Sequence, residues 1–209
     1  QARLTYDRVA AYLEGERSAL DGLSPEIGDV LEPMQELAMQ LRLRRIEAGS
    51  LDFDIPETEI VLDDTGRIQT VARVEHNPAH WLIEEFMLLA NQTVAAHLLG
   101  VDTPSLYRVH DSPNADKIEQ FNTVVGAFGY AVGSQGRLTP QDVQTVLEAV
   151  RGQPEERFVT HALLRSMSRA RYTATPGLHF GLAFEHYTHF TSPIRRYPDL
   201  AIHRMFDTL

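Results

Sequence analysis

Between residues 25 and 99 the spacing of apolar residues changes from helical to extended and back again, an order that few folds accommodate. From 25 to 48, Ile27, Val30, Leu31, Met34, Leu37, Ala38 and Leu41 recur at intervals of three and four, and the run stops at Gly49. LDFDI, TEIVLD and RIQTVARVE then alternate apolar with polar residues, and DDTG at 63–66 separates the last two, which predicts a small antiparallel meander. A second helical pattern runs from about Pro78 to Leu99 and stops at Gly100. Each element carries one apolar face that must be covered. The order therefore predicts a mixed α/β (α+β) fold in which a small antiparallel sheet packs against long helices.

The remaining elements are shorter. Residues 5–14 read as a helix, LYRVH at 106–110 as a strand, and DSPNADKIEQFNTVVGAFG supplies a start signal and a helix over about 114–128. Residues 133–138 read as a loop, and helices follow over Pro140 to Val150 and Pro154 to Ser168. RYTATPGLHFGLAFEHY is extended and turn-rich. No repeat or low-complexity segment interrupts this order.

Composition narrows the class. With 209 residues, 43% hydrophobic and 23% charged, the chain has material for one substantial core or two small ones. It has no cysteine, which excludes disulfides and cysteine-ligated zinc and fits a reducing, cytoplasmic compartment. No apolar run is long enough to span a membrane, and QARLTYDR lacks the apolar stretch of a secretory signal. The net charge of -10 argues against nucleic acid as a partner, but the charge is uneven. Residues 1–64 carry 15 acidic and 6 basic side chains, whereas 165–209 carry 3 acidic and 6 basic ones, so a local channel for an anion can lie toward the C-terminal end.

That basic end contains HFTSPIRRYPDLAIHR, residues 189–204. Pro193 suits the first turn of a helix, and Thr191 or Ser192 can cap it. With Arg195 and Arg196 in that first turn, the segment is expected to offer backbone N–H groups, the positive end of a helix dipole and two guanidinium forks to a phosphate. The plainer reading pairs the arginines with Asp199 and Asp207 to tie down a terminal helix.

HFGLAFEHYTHFTSPIRRYPDLAIHR closely resembles the most distinctive stretch of the RNB catalytic domain of the ribonuclease II and ribonuclease R family, and is closer to its ribonuclease R branch. ARLTYDRV near the start, LDFDIPE at 51–57, HWLIEEFMLLAN at 80–91 and LYRVHDSPNADKIEQF at 106–121 resemble further motifs of the family, in its order. The resemblance implies a magnesium-dependent 3′-to-5′ exoribonuclease that processively hydrolyses single-stranded RNA to 5′-monophosphates. It implies that Arg195 is the catalytic arginine at the scissile phosphate and that Arg196 is a second phosphate contact. Phe53 would clamp the terminal bases, Tyr6 would line the RNA path, and Thr191 and Ser192 would contact RNA beside the arginines. Glu84 would lie near the 3′-terminal nucleotide. Glu85 points about 100° away from it on a helix, so one of the two faces the channel, and the spacing to Arg195 selects Glu84.

One part of the family pattern is missing. Its magnesium ligands form an aspartate cluster, D-x5-D-x-D-D, upstream of the ARLTY motif, and no such pattern occurs here. Asp52 with Asp54 and Asp63 with Asp64 read as solvated or turn-forming residues, and the His76/His80 and His186/His189 pairs lack a third ligand. No metal site is assigned to this chain, and Mg2+ ligands are expected upstream of it. The chain is expected to be the C-terminal part of the catalytic domain, without the aspartate segment and the flanking OB-fold RNA-binding domains, and inactive in isolation. Two other readings stay open: a catalytically inactive RNB-type module that binds RNA or regulates, and a helical interaction domain with an ion-paired end. Partners within an RNA-degradation complex are not legible.

Overall fold

The computed structural model describes residues 2–51, 57–74, 76–132 and 138–207. The chain divides into two compact units: one comprises residues 1–42 and 53–86, the other 43–52 and 87–209.

The first unit begins with α1 (Tyr6–Leu13), whose N-cap Thr5 accepts from the Arg8 N–H. A 3-10 turn over Arg17–Leu20 leads to α2 (Glu26–Glu47). Val9, Ala10 and Tyr12 of α1 are buried with Leu20, Leu31 and Ala79. The packing of α2 on α1 depends on Gly28, because a Cβ at that position would collide with the Tyr12 hydroxyl. That hydroxyl in turn donates to Glu32 Oε1 at 2.9 Å.

β1 (Glu57–Leu62) and β2 (Ile68–Val74) form an antiparallel hairpin in this unit, with Ile60 opposite Val71 and an irregularity between Val61 and Leu62. Asp63 closes the turn by accepting from the N–H groups of Thr65 and Arg67 at 2.8 and 2.9 Å. These bonds hold its carboxyl below the ordinary carboxylate range, the Thr65 hydroxyl contributing most. The third expected strand, LDFDI, falls mostly on residues 52–56 and lies outside the described residues, as does Phe53 within it.

Ile60, Leu62, Ile68 and Val71 are each more than half exposed. The class is mixed α/β as expected. A two-stranded ribbon is held by its own ladder and turn, and alternation of apolar and polar residues specifies the strand without naming what covers it.

α3 (Pro78–Gly100) starts in the first unit and ends in the second. Asn77 caps it, its Oδ1 accepting from the Ala79 and His80 N–H groups at 3.1 and 3.2 Å. In the second unit, α2 ends just before Gly49, which takes a left-handed φ of +102°. Gln141 and Gln144 of α5 (Pro140–Val150) donate to the Ala48, Ile46 and Ser50 carbonyls there, satisfying the open helix end. β3 (Tyr107–Val109) pairs antiparallel with β4 (Arg171–Thr173), Arg108 opposite Tyr172. α4 (Ala115–Gly126) and α6 (Glu156–Ser166) join α5 in a helical layer whose Val125, Val143, Val150, Val159 and Leu163 are fully buried. α4 is capped by Asn114, and α5 by a reciprocal box between Thr139 and Asp142.

The last helix, α7 (Tyr197–Phe206), starts four residues later than the sequence reading places it. Pro193 to Arg195 form a turn instead of a first helical turn. Pro198 is the reason. In a helix opened at Pro193 it would sit in the interior, without an N–H for the Ile194 carbonyl and with its ring against the preceding turn. Arg196 accordingly stays extended, at φ -126° and ψ 117°, and Pro198 occupies the first turn of α7.

Candidate functional site

In the first unit, Tyr6 opens α1 and is 46% exposed. Its ring stacks on His80 of α3 with centroids 4.2 Å apart and planes 11° from parallel. Glu84 follows His80 by one helical turn and so lies on the same face of α3. Glu85 is turned inward: it is 2% exposed and 3.9 Å from the guanidinium of Arg42, which in turn lies over the Trp81 ring. Of the two adjacent glutamates, Glu84 is the more accessible to solvent. Tyr6 and His80 line a cleft of about 1120 Å³, walled by α1, α2 and the start of α3, including Ile27, Val30 and Ile83.

In the second unit, the structure separates the two arginines. Arg196 forms a fork to Asp199, Nε to Oδ2 at 2.9 Å and Nη2 to Oδ1 at 2.8 Å. Asp199 is completely buried, and its Oδ1 also accepts from the Ser192 N–H at 2.8 Å. Arg195 is exposed, and its guanidinium has no hydrogen-bond or ion-pair partner among the described residues. Ile194 is fully exposed beside it. The plainer sequence reading is therefore right for Arg196, whereas the anion site expected of a helix N-terminus at Pro193 is not built. In its place, Arg195 projects from a turn.

That turn is held along its whole base. The Ser192 carbonyl accepts from the Arg195 and Arg196 N–H groups at 3.3 and 3.1 Å. The Phe190 carbonyl lies 2.9 Å from His203 Nε2 of α7, and the two rings stack at 4.1 Å. Because a carbonyl only accepts, Nε2 carries the proton. Asn91 of α3, 3% exposed, accepts through Oδ1 from the Phe190 and Thr191 N–H groups at 2.9 and 3.2 Å. Thr191 Oγ1 is shielded from solvent and has no partner among the described residues, so in this arrangement the hydroxyl caps nothing and faces no open surface.

Next to the turn lies a cluster of rings of which the sequence reading weighed only His189, as half of a metal pair with His186. His179 packs edge-on against His110 and Tyr187, and Tyr187 against His189. Burial, with the His110 and Arg108 charges behind it, pulls His179 down to about 3. Burial, then Arg196, pulls His189 down to about 4. Both are neutral at neutral pH. The Tyr172 hydroxyl lies 2.6 Å from His189 Nδ1, within hydrogen-bond distance.

Among the described residues, no group of three or more histidines, aspartates or glutamates is placed to hold a metal ion. These residues do not make a magnesium site. No described helix is long and apolar enough to cross a membrane.

The sequence signature of the RNB domain matches residues 1–209. The chain is 43% identical over 205 residues to ribonuclease R of Aquifex aeolicus, covering 98% of this chain and 29% of that protein. Its fold matches RNase R of Mycoplasma genitalium solved in complex with ribose-methylated single-stranded RNA, with a TM-score of 0.90 at 30% identity, over 98% of this chain and 32% of that one. The same enzyme in complex with double-stranded RNA matches with a TM-score of 0.92, over 99% of this chain and 36% of that one. The chain thus spans about a third or less of the length of these relatives. The match runs through both units, from the Tyr6 helix to the Arg195 turn, and on that basis the chain belongs to the RNB domain family.

Proposed function

We propose that the protein carrying this chain is a 3′-to-5′ exoribonuclease that degrades single-stranded RNA processively, releasing 5′-monophosphates by hydrolysis, and that this chain supplies its phosphate-binding arginine. One observation carries the reading. Arg195 is a guanidinium without a partner among the described residues, on a turn fixed by buried side chains, whereas the arginine beside it is consumed by a buried carboxylate. An unpaired, exposed fork on a rigid base suits an anion, and a planar guanidinium can contact two phosphate oxygens at once. Charge accumulates on the non-bridging oxygens as a phosphodiester is attacked, so the contribution of Arg195 is largest in the transition state. The naming of relatives as ribonuclease R and the RNA in the neighbouring structures support RNA as the substrate.

In this reading Tyr6 and Glu84 line the path of the RNA, Phe53 stacks on its terminal bases, and Ser192 and the backbone at Thr191 flank the phosphate. Arg196 acts through the turn rather than on phosphate. Magnesium would be held by acidic residues outside this chain.

The test is single-turnover cleavage and equilibrium binding of one 3′-tailed RNA by the full protein and its Arg195→Ala and Arg195→Lys variants. Arg195→Ala should lower the cleavage rate by about 10²–10³-fold with a much smaller change in affinity. Arg195→Lys should recover little, since an ammonium keeps the charge and loses the fork. Cleavage at the parent rate would refute the role given to Arg195. Salt-dependent binding without any cleavage in the unaltered protein would identify an RNA-binding module instead.

A further inference from the structure

We propose that Asn91 is a positioning residue of the Arg195 turn, the side chain whose hydrogen bonds set where the turn stands relative to α3. The inference rests on the role given to Arg195 above and extends it.

The argument starts from what holds residues 190–196. Ser192 and Arg196 are bound by Asp199, and the Phe190 carbonyl by His203. Both partners belong to α7, which follows the turn directly. These bonds give the turn and helix one internal shape, and α7 meets α3 through non-directional packing, Phe206 stacked on His97 at 5.7 Å and Ile202 fully buried. Among the described residues, the hydrogen bonds from this stretch to anything beyond the turn and α7 are the two that Asn91 accepts, from the Phe190 and Thr191 N–H groups at 2.9 and 3.2 Å. Asn91 comes from α3, about a hundred positions earlier in the chain.

The amide cannot turn over without loss. Only its oxygen can accept from two N–H groups, so Nδ2 must point the other way, where it donates to the Tyr187 hydroxyl at 2.9 Å. Asn91 and Tyr187 are both buried, at 3% and 4% exposure, so a broken bond there is not replaced by water at low cost. Tyr187 is itself anchored, its carbonyl accepting from the Arg108 N–H of β3 at 2.7 Å. One side chain therefore ties α3 and the β3-anchored Tyr187 to the two peptide groups just ahead of Ser192. Because the Arg195 guanidinium has no partner among the described residues, its position is inherited from that backbone. An arginine aimed at a reacting phosphate is sensitive to such an offset, since a displacement of about 1 Å can lower a rate by about 10²-fold.

The experiment is a double-mutant comparison in the full protein, with single-turnover cleavage and equilibrium binding of the same 3′-tailed RNA. Asn91→Ala should lower the cleavage rate by about ten- to a hundredfold with affinity nearly unchanged. In an Arg195→Ala background the same substitution should cost almost nothing further, because the residue it positions is already gone. Asn91→Asp keeps acceptors for both N–H groups and takes a hydrogen bond from the Tyr187 hydroxyl, so it should restore most of the rate lost in Asn91→Ala. Tyr187→Phe removes the hydroxyl that orients the amide while keeping the ring, and should show a smaller loss with the same dependence on Arg195. It carries the comparison if Asn91→Ala does not fold. Equal factors in both backgrounds, an unchanged rate in folded Asn91→Ala and Tyr187→Phe, or parallel loss of binding and cleavage would each overturn the proposal. An Arg195→Ala variant that cleaves normally would instead overturn the reading on which it rests.

Discussion

Arg196 and Asp199 form a two-point ion pair three residues apart, and the carboxylate at its centre is completely buried. The pair closes the turn from which Arg195 projects, since the same carboxylate holds the Ser192 N–H. Removing the guanidinium leaves a buried charge with one backbone donor. Arg196→Ala should therefore destabilise the protein by about 3–5 kcal/mol, measured by urea unfolding, whereas Arg195→Ala should leave stability nearly unchanged. Equal effects of the two substitutions would contradict the division of roles between them.

Gly28 sets how closely α2 approaches α1. A methyl group there meets the Tyr12 hydroxyl, and the ring that carries it is buried in the core of the first unit, so it cannot swing aside freely. Gly28→Ala should cost about 1–3 kcal/mol, the range for overpacking, in spite of alanine's better helix propensity. Combining it with Tyr12→Phe should recover part of the loss. A stabilising Gly28→Ala would show that propensity outweighs the contact.

The stack of Tyr6 on His80 leaves one face of the tyrosine ring for another partner. If that partner is a base, Tyr6→Ala should weaken binding of single-stranded RNA by about 1–3 kcal/mol, while Tyr6→Phe, which keeps the ring, should bind nearly as the parent does. Titration of a short fluorescent oligonucleotide measures both. Identical affinities for parent and Tyr6→Ala would reduce Tyr6 to a helix-start residue.

Acid should destabilise the second unit before its carboxylates titrate. In the folded chain His179 resists protonation down to about 3 and His189 down to about 4, against an ordinary value of 6.5 that applies once the chain unfolds. Between those limits the unfolded state binds more protons, so stability is fully present above pH 6.5, declines as the pH falls through the window, and is lost by about pH 3. Tm should drop steadily from pH 7.5 to 5, and His179→Phe should flatten the slope. A pH-independent Tm over that range would mean that the rings are accessible to solvent.

Much of this arrangement was legible in the sequence because it is set by neighbours in the chain. Helix periods, Gly49 as a stop, the Asp63 turn and the hairpin strands all depend on side chains within a few residues of one another, and composition reports them directly. The start of α7 was legible too, but in Pro198 rather than Pro193, since the second proline forbids a helix begun at the first. What the sequence could not divide was the pair Arg195 and Arg196, which share charge, neighbourhood and motif. Burial of Asp199 takes one and leaves the other, and burial is a property of the packed unit. Between Glu84 and Glu85 the spacing to Arg195 selects Glu84, and packing adds that Glu85 is buried near Arg42. Packing decides most of all for Asn91, an uncharged residue that ends the HWLIEEFMLLAN motif, where the motif does not name its partners. Its role comes from meeting residues about a hundred positions away, and only tertiary packing brings such partners within hydrogen-bond distance.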